Sequence, residues 1–210
     1  MTAFLIRLIT GVHAHWIGVD APETAASDGS PTQPRVFFAN HSSNLDGPVI
    51  WASLPKEIRR RTRPVAAQDY WLRGPVRRYL ARRVFNCMLV ERKKVTVSNN
   101  PLRDMQTALD AGDSLIIFPE GTRDGSADGG LAEFKPGLWH LSRKFPHAKF
   151  IPVHLENLSR ILPKGEFLLI PLLASARFGA PLAIVPKEPR EAFLARAKTA
   201  VENLRDGVPN

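Results

Sequence analysis

Val36-Phe37-Phe38-Ala39-Asn40-His41-Ser42-Ser43-Asn44-Leu45-Asp46 is the stretch on which the fold reading turns. Residues 36–39 are an unbroken apolar run, the pattern of a short strand buried on both faces. Gly47-Pro48-Val49-Ile50-Trp51 follows and reads as the start of a helix. A strand therefore delivers His41 and Asp46 to a turn, where a rigid scaffold commonly presents catalytic groups. Histidine accepts a proton near neutral pH. A carboxylate bonded to one ring nitrogen fixes the tautomer, leaves the other nitrogen as a base and stabilises the imidazolium that forms. A plainer reading fits the same residues. Asp46 is then the N-cap of the next helix, with Pro48 in its first turn, and His41 is a satisfied core histidine.

A second stretch repeats the design. Leu115-Ile116-Ile117-Phe118 is another short apolar run, ending in Pro119-Glu120-Gly121-Thr122-Arg123. Between and around these runs, strand patterns alternate with helical ones. Strands are expected at residues 16–19, 65–67, 88–90 and 150–155, with a further one within 167–178. Helices are expected at 56–61, 73–84, 101–111, 137–144 and 191–204. Over 73–84 the apolar Val76, Tyr79, Leu80 and Val84 share a helical spacing, and Arg77, Arg78, Arg82 and Arg83 fill the remainder. This alternation predicts an α/β fold, one mixed β-sheet flanked by helices, in a single domain.

The charge is uneven. The chain carries a formal +9, and residues 59–94 hold twelve Lys and Arg against Asp69 and Glu91, which puts nearly all of the excess there. Such a patch seeks phosphate, on anionic lipid, a phosphorylated ligand or nucleic acid. Nucleic acid is not expected. The neighbouring Tyr70, Trp71, Tyr79 and Phe85 lie in apolar-periodic stretches rather than in a stacking platform. The one cysteine, Cys87, excludes a disulfide within these residues, and its apolar neighbours suggest an inert thiol. Residues 1–14 hold Phe4, Leu5, Ile6, Leu8, Ile9 and Val12 with only Arg7 charged. That run is too short to span a bilayer and lacks the basic start and cleavage site of a signal peptide. Two readings remain, a helix lying in a membrane interface and a helix packed on the core. His13 and His15 have no accompanying carboxylate or cysteine cluster, so no metal site is expected.

Taken together, the two turns resemble the glycerolipid acyltransferase family, the 1-acylglycerol-3-phosphate acyltransferases and their relatives. The family's Asn-His, four residues, Asp is Asn40-His41 and Asp46, and its Phe-Pro-Glu-Gly-Thr-Arg is residues 118–123. Leu89-Val90-Glu91-Arg92 looks like its second block, Phe134-Lys135-Pro136-Gly137 like its Phe-Lys-x-Gly, and Ile151-Pro152-Val153 like its fourth block. Where the second block usually opens with Gly, this chain has Asn86, a residue that accepts positive φ more readily than most.

The expected organisation is an amphipathic interfacial helix at 1–14, read from its own residues, and an acyltransferase domain at 15–210, as the resemblance implies. The resemblance implies transfer of a fatty acyl chain from acyl-CoA or acyl carrier protein to a lysophospholipid hydroxyl, with 1-acylglycerol 3-phosphate the favoured acceptor. No cofactor is expected, and the place of work is an anionic membrane surface on its cytoplasmic face. His41 matches the base and Asp46 its orienting carboxylate. Substrate contacts are expected from Arg92, Glu120, Gly121, Thr122, Arg123 and Lys135, with Arg92, Arg123 and Lys135 on the acceptor's phosphate. The backbone N–H groups around Glu120-Gly121-Thr122 are candidates for an oxyanion hole. No Walker loop, dinucleotide fingerprint or Gly-x-Ser-x-Gly elbow occurs.

Overall fold

The computed structural model describes residues 2–18, 33–91, 100–123, 130–158 and 173–208. Its centre is a seven-stranded sheet in the order β1-β7-β6-β2-β5-β3-β4. The strands are β1 (His13–Trp16), β2 (Arg35–Ala39), β3 (Thr62–Ala67), β4 (Met88–Val90), β5 (Ser114–Ile117), β6 (Lys149–Glu156) and β7 (Ser175–Phe178). All neighbours run parallel except β6 and β7. The expected mixed sheet flanked by helices is present.

Central β2 is buried at every position, as its unbroken apolar sequence requires. Its side chains alternate between two cores. Val36 and Phe38 point with Leu115, Ile117 and Phe150 towards α6 (Pro101–Asp110), α7 (Gly137–Lys144) and α8 (Arg190–Arg205). Phe37 and Ala39 point with Ile116 and Ile151 towards α2 (Asp46–Ser53). The remaining helices are α1 (Thr2–Thr10), α3 (Lys56–Arg60), α4 (Gln68–Trp71) and α5 (Pro75–Tyr79). Helix α6 starts where Asn100 accepts a hydrogen bond from the Leu102 N–H and Pro101 occupies the first turn. It stops before Gly112, at φ 78°.

Several expectations are corrected. The first strand is His13–Trp16 rather than 16–19, because parallel pairing with β7 captures an edge segment whose polar residues carry little apolar signal. The helix expected over 73–84 starts at Pro75 and widens into a π-helix at Leu80–Val84. Of the strand expected within 167–178, residues 175–178 are observed, and positions 159–172 lie outside the described residues. Asp46 is not the N-cap of α2. Leu45 is, and Asp46 is the first helical residue with its carboxylate turned back on the preceding turn. Asn86 adopts φ 49°, in the positive-φ region that asparagine accepts more readily than most residues.

The first helix packs on the domain along one side only. Ile6 packs into the core and the Arg7 guanidinium donates to the Ala52 carbonyl at 2.7 Å. Phe4, Leu5, Leu8 and Ile9 remain exposed. Among the described residues, no helix is long and apolar enough to cross a membrane.

Candidate active site

Parallel pairing sets Phe38 of β2 against Ile117 of β5. The turns leaving both strands therefore meet beyond their carboxyl ends, where open α/β sheets bind ligands. The first turn carries His41. Its Nδ1 stands 2.8 Å from Asp46 Oδ2, and the same oxygen accepts the backbone N–H groups of Ser42 at 2.7 Å and Ser43 at 2.8 Å. Asp46 is wholly buried. A carboxylate oxygen that only accepts requires the proton of neutral His41 on Nδ1, leaving Nε2 with its lone pair. The ring stacks on Phe118, with centroids 4.2 Å apart and planes 18° from parallel. Asn40 anchors the front of the turn. Its amide donates to the Leu155 carbonyl at 2.9 Å and accepts from the Leu155 N–H at 2.7 Å.

The second turn is tied to the first by Glu120. One carboxylate oxygen accepts the His41 N–H and the other the Ala132 N–H, each at 2.8 Å. Glu120 is 4% exposed. Both oxygens are engaged with backbone, and the side chain braces the two turns. Gly121 is also put to another use. Its N–H donates to the Phe118 carbonyl at 3.0 Å, so it is not a free oxyanion donor. Its φ of 72° suits glycine, and the Lys135 side chain lies across it, where a Cβ would stand 2.5 Å from Nζ. Lys135 is thereby brought to the second turn and held there by its own N–H on the Pro119 carbonyl. Thr122 is exposed and Arg123 half-buried beside them. Arg92 lies outside the described residues.

A cavity of about 210 Å³ opens at this junction. His41, Asn44, Phe118 and Arg123 line it from the two turns; Pro64 to Ala67 of β3, Trp71, Arg73 and Cys87 line it from the other side. Sequence reasoning missed that second wall. The only local signal was the basic density around Arg73, which says nothing of where the side chain points. Burial pushes the Cys87 thiol up to about 12, against a smaller opposing effect of Arg63, so it is inert as a nucleophile. The arrangement places the His41 imidazole, bonded behind to Asp46, and the Arg123 guanidinium on one space. Among the described residues, no cluster of His, Cys, Asp and Glu suited to a metal is present.

A family model described as acyltransferase matches residues 21–156, both turns included. The chain belongs to the acyltransferase family. Among its relatives is a probable 1-acyl-sn-glycerol-3-phosphate acyltransferase of Mycoplasma genitalium, 28% identical over 65% of this chain and 48% of that protein. The 1-acyl-sn-glycerol-3-phosphate acyltransferase alpha of Mus musculus is 27% identical over 77% of this chain and 54% of its own length. The chain thus spans about half the length of these curated relatives. In fold, this acyltransferase-family chain is similar to the 1-acyl-sn-glycerophosphate (LPA) acyltransferase PlsC of Thermotoga maritima. The TM-score is 0.69 at 20% identity, over 97% of this chain and 79% of that one.

Proposed function

We propose that this chain moves a fatty acyl group from a thioester donor to the free hydroxyl of a lysophospholipid, with 1-acylglycerol 3-phosphate as acceptor and phosphatidate as product. The observation that carries the reading is the His41–Asp46 pair on the wall of a cavity that also holds Arg123. In the reaction His41 Nε2 takes the acceptor's hydroxyl proton as the oxygen attacks the thioester carbonyl. Buried Asp46 stabilises the imidazolium at Nδ1. The tetrahedral intermediate collapses, the C–S bond breaks, and the departing sulfur recovers the proton from Nε2. No covalent acyl-enzyme is needed. Ser43 Oγ is occupied in accepting the Leu45 N–H. Acyl-CoA and acyl carrier protein present the same thioester, and both are donors under this reading.

The acceptor's phosphate is held by Arg92, Arg123 and Lys135, because a guanidinium fork and an ammonium make charge-assisted bonds to a phosphomonoester. The exposed Phe4, Leu5, Leu8 and Ile9 of α1 support a peripheral position on an anionic membrane, at its cytoplasmic face. The test is thiol release by the purified chain given lysophosphatidate with acyl-CoA or acyl carrier protein. His41→Ala, confirmed as folded, should lose roughly a hundred- to ten-thousand-fold. Wild-type turnover in that variant removes His41 as the base. No turnover in the unaltered chain with either donor overturns the reading in favour of a non-catalytic anion-binding module.

A further inference from the structure

The basic segment after β3 has a feature that charge alone does not explain. On the helix running through Pro75–Tyr79 and Leu80–Val84, Val76 and Tyr79 are 69% and 61% exposed. They lie three residues apart and so share one face. Arg73, Arg78, Arg82 and Arg83 are exposed around them, and residues 70–90 contain no Asp or Glu. Arg77 is drawn back over the Tyr70 ring at 4.4 Å. The helix is seated from behind. Ala81 and Phe85 are buried in a small cluster that also takes Trp71, Leu80 and Val84, and Ile6 of α1 joins it. Arg59 binds the Ala52 and Leu54 carbonyls, and Arg7 of α1 also binds that of Ala52. Ile6 of α1 thus packs against the same cluster that seats the Arg-rich helix.

The cavity lies beside the start of this helix. Tyr70, Trp71 and Arg73 line it and lead directly into the helix. Its volume, about 210 Å³, is below the roughly 300–1,000 Å³ of sites that engulf a small molecule. It has room for the reacting groups.

We propose that the Pro75–Val84 helix is a second membrane anchor, inserting Val76 and Tyr79 between anionic lipid headgroups paired to Arg73, Arg78, Arg82 and Arg83, and that it turns the cavity mouth towards the bilayer. An apolar tip among arginines, in a stretch with no acid between Asp69 and Glu91, suits an anionic lipid surface, where each basic side chain adds attraction and the apolar tip adds burial. The helix borders the mouth through Tyr70, Trp71 and Arg73, so an acceptor reaches His41 while its chain stays in the membrane. The inference rests on the membrane reading of the preceding section and extends it to a specific face.

The test places an environment-sensitive thiol label at Val76 or Phe4, using Val76→Cys and Phe4→Cys in the full chain. Cys87 is buried with its thiol pushed up, so labelling at neutral pH goes to the introduced cysteine. On adding phosphatidylcholine–phosphatidylglycerol vesicles, both labels should shift to the blue, and brominated lipid should quench both. Val76→Ser with Tyr79→Ser should weaken vesicle partition roughly tenfold or more, the scale of withdrawing one buried apolar side chain. The same variant should lose turnover on vesicle-borne lysophosphatidate and keep it on a water-soluble short-chain acceptor. A shift at Phe4 without one at Val76 overturns the second anchor and leaves membrane attachment through α1 standing. No shift at either position overturns both. A response at Val76 to an acidic carrier protein but not to vesicles also overturns the proposal and makes the helix a donor-docking face.

Discussion

Glu120 tests whether the second turn binds substrate or braces the first. Its two carboxylate oxygens accept the His41 and Ala132 N–H groups in a site 4% exposed. A hydrogen bond to a charged group contributes about 1.5–3 kcal/mol, so the pair amounts to roughly 3–6 kcal/mol. Glu120→Gln keeps the shape but has one oxygen. Its NH2 group would face an N–H, so about half of that stabilisation should be lost, roughly 1.5–3 kcal/mol. The freed N–H belongs to His41 or to the segment anchoring the second turn, and either change moves the imidazole relative to the acceptor hydroxyl. A misplacement of about 1 Å can cost on the order of a hundredfold in rate. The assays are denaturant unfolding and steady-state kinetics on lysophosphatidate. A lower unfolding midpoint and a kcat reduced roughly ten- to a hundredfold, with acceptor KM little changed, are expected. If Glu120→Gln is as stable as the unaltered chain and loses only acceptor affinity, Glu120 touches substrate and the bracing role is wrong.

Burial, reinforced by Arg177 and Arg205 and opposed by Glu156 and Asp206, holds His154 down at about 4 against an ordinary 6.5. The unfolded chain therefore takes up this proton first as pH falls. The resulting stability is fully present above about 6.5 and is lost towards pH 4, on the order of 3 kcal/mol in all. His154→Phe should flatten that part of the stability–pH curve measured by denaturant melts; an unchanged slope removes His154 as its source. Gly121→Ala forces a side chain onto a φ of 72° and against Lys135, so a loss of about 1–2 kcal/mol and a raised acceptor KM are expected from thermal melts and kinetics. Arg123→Ala should raise KM for lysophosphatidate and leave an uncharged lysolipid unaffected, with Arg123→Lys recovering only part. Equal losses on both acceptors assign Arg123 to the fold or to the donor.

The elements read correctly from sequence are those whose signal is local. The apolar runs of β2 and β5 sit inside a sheet buried on both faces, so every residue reports its environment. The His41–Asp46 contact was legible for the same reason: five positions across a strand-to-helix turn bring the two together without help from the rest of the chain. Edge strand β1 was misplaced because its residues are mostly exposed and its boundary is set by pairing with Ser175–Phe178.

The role of Glu120 depends on a partner 79 residues away, joined to it by the register of β2 on β5. No periodicity carries that information, since a buried carboxylate bound to backbone N–H groups looks in sequence like any acidic residue in a turn. The wall of the cavity formed by Pro64 to Ala67, Trp71 and Arg73 has the same origin, because β3 lies next to β5 in space and far from it in the chain. Near-neighbour chemistry in the sequence by itself determined that His41 and Asp46 pair and where β2 and β5 run. Strand order decided which side chains surround the reacting groups, and only the packed structure left Val76 and Tyr79 without a cover. The physical reason is that a side chain's local pattern records which face it occupies, whereas what lies opposite that face is set by distant segments brought together through sheet pairing and core packing.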